Sequence, residues 1–449
     1  MNASPRNKLF VMMVLEFFIW GAWLPKIFGY LPAMGFTGNE QLAILLAFPV
    51  AAIIGMVFSN EFADRKFAAE KFMAFSHLVG GLAILALGFL KPAAAGGTAP
   101  FWAFFILMSV HCFLYVPTMS IANPLAFANI KDAAKDYGFV RMGGTVGWIL
   151  AAWPFIFLLV DWSVVSQKMA DAQTSGFVAW LGTAFGSPME GDKLIAGTRW
   201  TYIVAGIASL VLAAFSLTLP NTPPKKGAPG DSLAFVKAFK VLKHPVILVL
   251  WLVTLIDSFV HNTYFFHTDS FLKSASVGIP ANWTQAVMSV GQIAEILTML
   301  ILGATLKRLG WKMTMLIGIA GHALRFLVYA YLPGHQWLMV GVQLVHGICY
   351  AFYFATVYIF VEKAFPNDIR TSAQGLFNLM IFGLGDILAK IFWIYYGNEK
   401  FALAGGGMDW SKLFLVPAGL AIGAMVLLAI AFHPPKEVDA AMHDGAASH

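Results

Sequence analysis

A chain of 449 residues that is 59% apolar and 12% charged has too few ionic groups to cover the surface of a water-soluble fold, since soluble domains run at roughly 45–50% and about 25%. A bilayer removes that difficulty, at about 20 apolar residues per spanning helix. The net charge of +6 is scattered through short loops between apolar blocks, which is a topology signal rather than a nucleic-acid footprint, and no nucleic-acid partner is expected.

Twelve apolar blocks fall near residues 9–31, 40–62, 71–90, 101–124, 141–161, 199–219, 245–271, 283–306, 313–332, 336–361, 373–397 and 412–433. They are too long and too evenly apolar for barrel strands, which alternate. The first follows Arg6 and Lys8 and resembles a signal peptide at its start. It runs on past Trp20 and Trp23 without a small-x-small cleavage site, so it reads as a retained helix. Cys112 and Cys349 each lie inside an apolar block, a placement that argues against a disulfide framework or a metal site. No cofactor is expected.

Lys and Arg fix the orientation. With both termini in the cytoplasm, 18 loop cations lie inside, including Arg6, Lys66, Lys131, Lys226, Lys307, Arg308 and Lys363, against 8 outside, among them Lys26, Lys168, Lys193 and Lys412. Residues 220–244 open as a Pro/Gly-rich linker and close as a basic amphipathic stretch. The expected organisation is therefore a first six-helix half over 1–219, a cytoplasmic linker over 220–244, a second half over 245–433 and a polar cytoplasmic tail over 434–449. The outer loop 162–198 is polar enough to be solvated, and its role is not legible. The expected fold class is an all-α membrane protein of twelve transmembrane helices in two six-helix halves, located in a bacterial inner membrane as a monomer embedded in lipid.

Ionisable groups inside apolar spans cost roughly 2.5–3.5 kcal/mol each on insertion scales, so each is a candidate for function. They are Glu16, Arg141, Asp257, His261, Glu295, Arg325, His346, Asp386 and Lys390. Asp386 and Lys390 stand i,i+4 and can neutralise each other. Arg325 has no acid on its own span and can pair with Glu295 or serve the site. Arg141 opens the fifth span among small residues, in Arg-Met-Gly-Gly-Thr145-Val-Gly-Trp148. Gln292 and Glu295 share a helix face at i,i+3, where an amide beside a carboxylate can hold hydroxyls or a base edge. Asn262 and Phe265 on the seventh span, with His346 and Tyr350 on the tenth, interleave aromatic and polar groups as a ring-binding cavity would. Glu295, His346 and Glu16 are the candidate proton carriers.

Several segments carry a resemblance. Asn60-Glu-Phe-Ala-Asp64-Arg65-Lys66 after the second span and Gly303-Ala-Thr-Leu-Lys307-Arg308-Leu-Gly310 after the eighth resemble the paired loop signature of the major facilitator superfamily. Leu-Glu16-Phe-Phe-Ile-Trp20-Gly-Ala-Trp23, the Arg141-to-Trp148 segment, Gln292-Ile-Ala-Glu295, Leu324-Arg325-Phe326 and Phe360-Val-Glu362-Lys363 resemble the bacterial nucleoside:proton symporters of that superfamily. The resemblance implies that Arg141, Gln292 and Glu295 surround a nucleoside, with Thr145 and Trp148 lining the same cavity. It also places the family's helix-10 acid on Ala351 and a tyrosine of that helix on His346, a departure that bears on both substrate and coupling. The expected function is proton-coupled nucleoside uptake by alternating access, with a sugar or other hydroxyl-rich metabolite as the alternative cargo. A non-transporting sensor would need an appended signalling domain. An enzyme would need a nucleophile–base set or a metal cluster, and neither pattern occurs in the sequence.

Overall fold

The computed structural model describes residues 4–91, 100–130, 133–173, 175–223, 239, 242–365 and 367–434. Most of the 220–244 linker and the tail beyond 434 lie outside the described residues, as do the side chains of 56–66, which carry the first loop signature.

Eleven helices are long and apolar enough to cross a membrane. They are α1 (Pro5–Ala33), α2 (Gly38–Lys66), α3 (Ala69–Leu87), α4 (Phe101–Asn129), α5 (Ala133–Ala152) and α6 (Trp200–Ser216), followed by α7 (Pro245–Leu272), α8 (Thr284–Tyr331), α9 (Gln336–Ala364), α10 (Ala373–Lys400) and α11 (Trp410–Ala431). Local chemistry sets their ends. Pro5 and Pro245 sit where a helix start has no partner for an N–H to lose. Thr37 and Glu40 form a reciprocal capping box at the start of α2, the Thr37 N–H donating to Glu40 at 2.8 Å.

The 48 residues of α8 would reach about 72 Å if straight at 1.5 Å per residue, over twice the roughly 30 Å hydrocarbon thickness. Its one break is Gly310, at φ 71° and ψ 176°, a conformation that only glycine adopts without strain. The sequence expected a loop around Lys307 to Lys312. The structure turns the chain at a single residue instead. α9 and α10 also depart from regular geometry, with π-helical turns at Tyr350–Ala355, Leu379–Leu384 and Trp393–Gly397.

The chain divides into two compact units. Unit 1 holds residues 1–51, 58–225 and 265–289, and unit 2 holds 52–57, 226–264 and 290–449. In unit 1, α1 packs on α4, α5 and α6, and α3 packs on α4 and α6. Large apolar side chains are exposed on the helix surfaces, such as Leu300, Trp337 and Ile430 at 78%, 88% and 71% exposure.

The segment 162–198, expected to be a solvated loop, is largely helical. It carries three short helices, Trp162–Asp171, Phe177–Phe185 and Gly191–Thr198, around a small apolar cluster of Val160, Val165 and Ala184 with Met169 against it. Asp161 caps the first of them and ties it to the third through Lys193 Nζ at 2.6 Å. Hydrogen bonds from Lys193 and then Ser163 hold the Asp161 carboxyl down at about 2. Lys26, counted above among outer-loop cations, is instead buried inside α1. Its ammonium donates to Asp269 Oδ1 at 2.7 Å, Thr284 Oγ1 at 2.6 Å and the Ala281 carbonyl at 2.9 Å, binding residues 265–289 into unit 1.

Candidate substrate site

In unit 1, α5 presents Arg141, Thr145 and Trp148 on one face, at i, i+4 and i+7. All three are half-buried. Gly147 allows α1 to press against this helix, because a Cβ there would lie 2.0 Å from the Val14 carbonyl oxygen. The approach sets the Arg141 guanidinium 4.9 Å over the Phe17 ring. One turn along α1, Trp20 meets Trp148 edge-on at 5.0 Å and stacks on Phe48 at 4.9 Å. Trp148 in turn meets Phe265 edge-on at 5.8 Å. Among the described residues Arg141 has no carboxylate partner, and the buried Trp20 Nε1 has no hydrogen-bond partner. A cation without a counter-ion beside flat aromatic faces can hold a hydroxylated, ring-bearing solute. Phe17, Trp20 and Phe48 went unmarked as site residues in the sequence, although Phe17 and Trp20 stand i,i+3 on one helix face.

Unit 2 carries the remaining candidates. Gln292 is buried and its Oε1 has no hydrogen-bond partner among the described residues, while Glu295, one turn on, is half-buried. α9 lies close against this stretch of α8, since a Cβ on Gly347 would fall 2.3 Å from the Glu295 backbone nitrogen. Asn262 Nδ2 donates to the Ser258 carbonyl at 2.9 Å, and the half-buried Tyr350 ring lies 6.3 Å from His261.

His346 is buried rather than lining open space. Arg325, fully buried, sets its Nη1 2.8 Å from His346 Nδ1 and its guanidinium 4.1 Å over the Tyr264 ring. A guanidinium only donates, so His346 Nδ1 acts as the acceptor and carries no proton in this arrangement. Ala351 is fully buried. Asp386 and Lys390 form the expected i,i+4 pair at 2.7 Å.

Glu16 is enclosed in unit 1. Its Oε2 lies 2.8 Å from His77 Nε2 and its Oε1 accepts from Thr118 at 2.7 Å, while Tyr115 donates to its backbone carbonyl at 2.6 Å. His77 Nδ1 continues to Ser209 at 3.1 Å. The network joins α1, α3, α4 and α6. His77, beside Ser76, meets the criterion of an ionisable group in an apolar span without being among the candidates, whereas Ser209 is a lone hydroxyl in an apolar run.

The chain matches the family described as "Nucleoside H+ symporter" over residues 2–185 and 169–437. It belongs to that family. Among relatives from Escherichia coli (strain K12), it is 29% identical to YegT over 85% of this chain and 82% of that protein. It is 27% identical to the nucleoside permease NupG over 95% of this chain and 94% of that protein. The fold follows the same line. A crystal structure of nucleoside transporter NupG superposes with a TM-score of 0.74 at 24% identity, covering 96% of this chain and 99% of the other. One of a D-xylose–proton symporter gives 0.66 at 15%, covering 96% and 98%. The protein is thus a multi-pass membrane symporter of all-helical, major-facilitator-like fold, and no enzyme.

Proposed function

We propose that this symporter takes up nucleosides together with protons by alternating access of two six-helix halves, residues 1–219 and 245–433. Reading α8 as two spans separated at Gly310 raises eleven helices to twelve. The linker 220–244 and both termini then face the cytoplasm in a bacterial inner membrane, and the monomer is the working unit.

The observation that carries the reading is Arg141, a half-buried cation with no carboxylate partner among the described residues, its guanidinium over the Phe17 ring, while further along the same two helices Trp20 packs edge-on against Trp148. A nucleoside offers what this surface lacks, namely a flat base to stack and ribose hydroxyls to accept from the guanidinium. The proposed binding groups of unit 1 are Arg141, Thr145, Trp148 and Phe265; those of unit 2 are Gln292, whose buried Oε1 has no hydrogen-bond partner among the described residues, with Glu295, Asn262, His346 and Tyr350. Of the three candidate proton carriers, Glu295 is also a proposed substrate ligand. Glu16 has both oxygens bonded and His346 Nδ1 already accepts from Arg325.

Calorimetry with uridine tests the reading. A hydrogen bond to a charged group contributes about 1.5–3 kcal/mol, so Arg141→Ala should weaken binding roughly 10- to 150-fold while the protein elutes as wild type does. Unchanged affinity would remove Arg141 from the site. A panel of labelled nucleosides and sugars in proteoliposomes, with and without a pH gradient, separates the nucleoside reading from the sugar alternative.

A further inference from the structure

In each unit an acid–histidine pair is fully buried near the middle of its helices, and the two pairs are built differently. In unit 1, both oxygens of Glu16 and both ring nitrogens of His77 have partners. In unit 2, Asp257 on α7 meets His322 on α8, with Oδ1 2.8 Å from Nδ1 and both side chains fully buried. There the bonding stops, because Asp257 Oδ2 has no hydrogen-bond partner among the described residues. A buried carboxylate oxygen without a donor is costly to retain. The cost is removed whenever a proton occupies that oxygen. A purely structural pair would be expected to look like the one in unit 1, with every position closed.

The surroundings supply a route and a coupling. His261 lies one turn from Asp257 on α7 and is half-buried. Its ring is 5.6 Å from His322 and 5.1 Å from His346. The other ionisable groups facing the pair are Arg325, one turn beyond His322, with Cys349 and Tyr353 from α9. Arg325 bonds His346, and His346 presses on the helix that bears Gln292, since a Cβ on Gly291 would lie 2.8 Å from the His346 Cβ. A change of charge at the pair therefore acts on a packed chain of side chains ending at a substrate-site amide.

We propose that the Asp257–His322 pair is the site at which this symporter holds its transported proton, delivered through His261. One proton stays between Oδ1 and Nδ1 throughout. The transported proton arrives on the open carboxylate oxygen of Asp257 and leaves from it, and no other bond changes. The proposal rests on the proton-coupled reading above and extends it, because Glu295 alone would put the proton in direct competition with substrate.

Two measurements separate this proposal from the reading it extends. In proteoliposomes carrying an internal pH dye, uridine should drive proton entry through the wild type, and a gradient of one pH unit supports about tenfold accumulation for one proton per substrate. Asp257→Asn and His322→Gln should exchange labelled uridine within about twofold of wild type, while uridine-driven proton entry disappears and accumulation falls to about one. Asp257→Glu should restore coupling, and His261→Gln should slow proton entry without changing the final accumulation. If Asp257→Asn and His322→Gln keep gradient-driven accumulation, or lose exchange along with proton entry while still folded, the pair is not the proton site. The second measurement needs no substrate. A pH-difference infrared spectrum of the purified protein should contain a carboxylic-acid C=O band that vanishes in Asp257→Asn and moves in Asp257→Glu. An unchanged band in Asp257→Asn overturns the proposal whatever the transported solute is, whereas a wild type that moves no protons with any nucleoside counts against the proposed function.

Discussion

Replacing Lys26 with methionine removes an ammonium that three buried groups share while keeping most of its volume. Lys26 is 4% exposed and Asp269 is 2% exposed. Without the lysine, Asp269 keeps the Thr284 hydroxyl at 2.5 Å and Lys273 Nζ at 3.0 Å, but Lys273 is itself 30% exposed and partly solvated. Breaking a buried pair by removing one partner costs about 3–5 kcal/mol, chiefly because the survivor is left uncompensated. The residual Lys273 contact places Lys26→Met at the lower end, about 3 kcal/mol. The double variant Lys26→Met/Asp269→Leu removes the stranded charge and should recover to within about 1 kcal/mol of wild type, since apolar replacement of buried pairs is often neutral. Unfolding in mixed micelles, followed by tryptophan fluorescence for all four members of the cycle, gives these values. A loss below about 1 kcal/mol for Lys26→Met, or a double variant as unstable as the single one, would refute the account.

Gly147→Ala should push α1 off α5, because its Cβ would sit 2.0 Å from the Val14 carbonyl. Uridine affinity and thermal stability should then fall together, which calorimetry and a detergent melt would show. Glu295→Gln should weaken uridine binding while retaining gradient-driven accumulation, and intact exchange with lost accumulation in proteoliposomes would place the transported proton on Glu295 instead of Asp257. The 162–198 segment should loosen in acid. The Asp161 carboxyl sits at about 2 when folded against roughly 3.9 in an unfolded chain, so its contribution is present above pH 4 and is lost as pH falls toward 2. Hydrogen exchange across residues 160–198 at pH 6 and pH 2.5 would detect this, and Asp161→Asn should abolish the difference. Cysteines at Ser175 and Ser232 should label with impermeant maleimide from opposite sides of the membrane, and labelling of both from one side would overturn the proposed topology.

The helices were legible because a spanning segment must carry a long apolar run, and nothing else in a sequence looks like one. Thr145 and Trp148 came from the resemblance to the nucleoside:proton symporters, and their i+4 and i+7 spacing from Arg141 is what puts them on its face of α5. Partners across helices were not legible. His77 and His322 are, like His261 and His346, ionisable groups inside apolar spans, but each lies far in the chain from its partner, Glu16 or Asp257, and no local pattern names that partner. Lys26 misled for a related reason, because a cation near a span end looks like a topology marker until Asp269 and Thr284 are found beside it. The segment 162–198 was misleading in another way. Its helices are too short to show a clear period, and its cluster is built from a few small apolar residues.

The π-helical turns at Tyr350–Ala355 and Leu379–Leu384 have a consequence for how such a chain can vary. A π turn accommodates one residue more than an α turn, so a single-residue insertion can be absorbed locally. The flanking helix then keeps its faces instead of rotating every later side chain by about 100°. In α9 this separates the segment bearing His346 from the segment bearing Glu362 and Lys363. Residues counted back from Glu362 and Lys363 can therefore slip by one position at the turn. Deleting one residue within Tyr350–Ala355 should convert it to an ordinary α turn while leaving both ends of the helix facing as they do now.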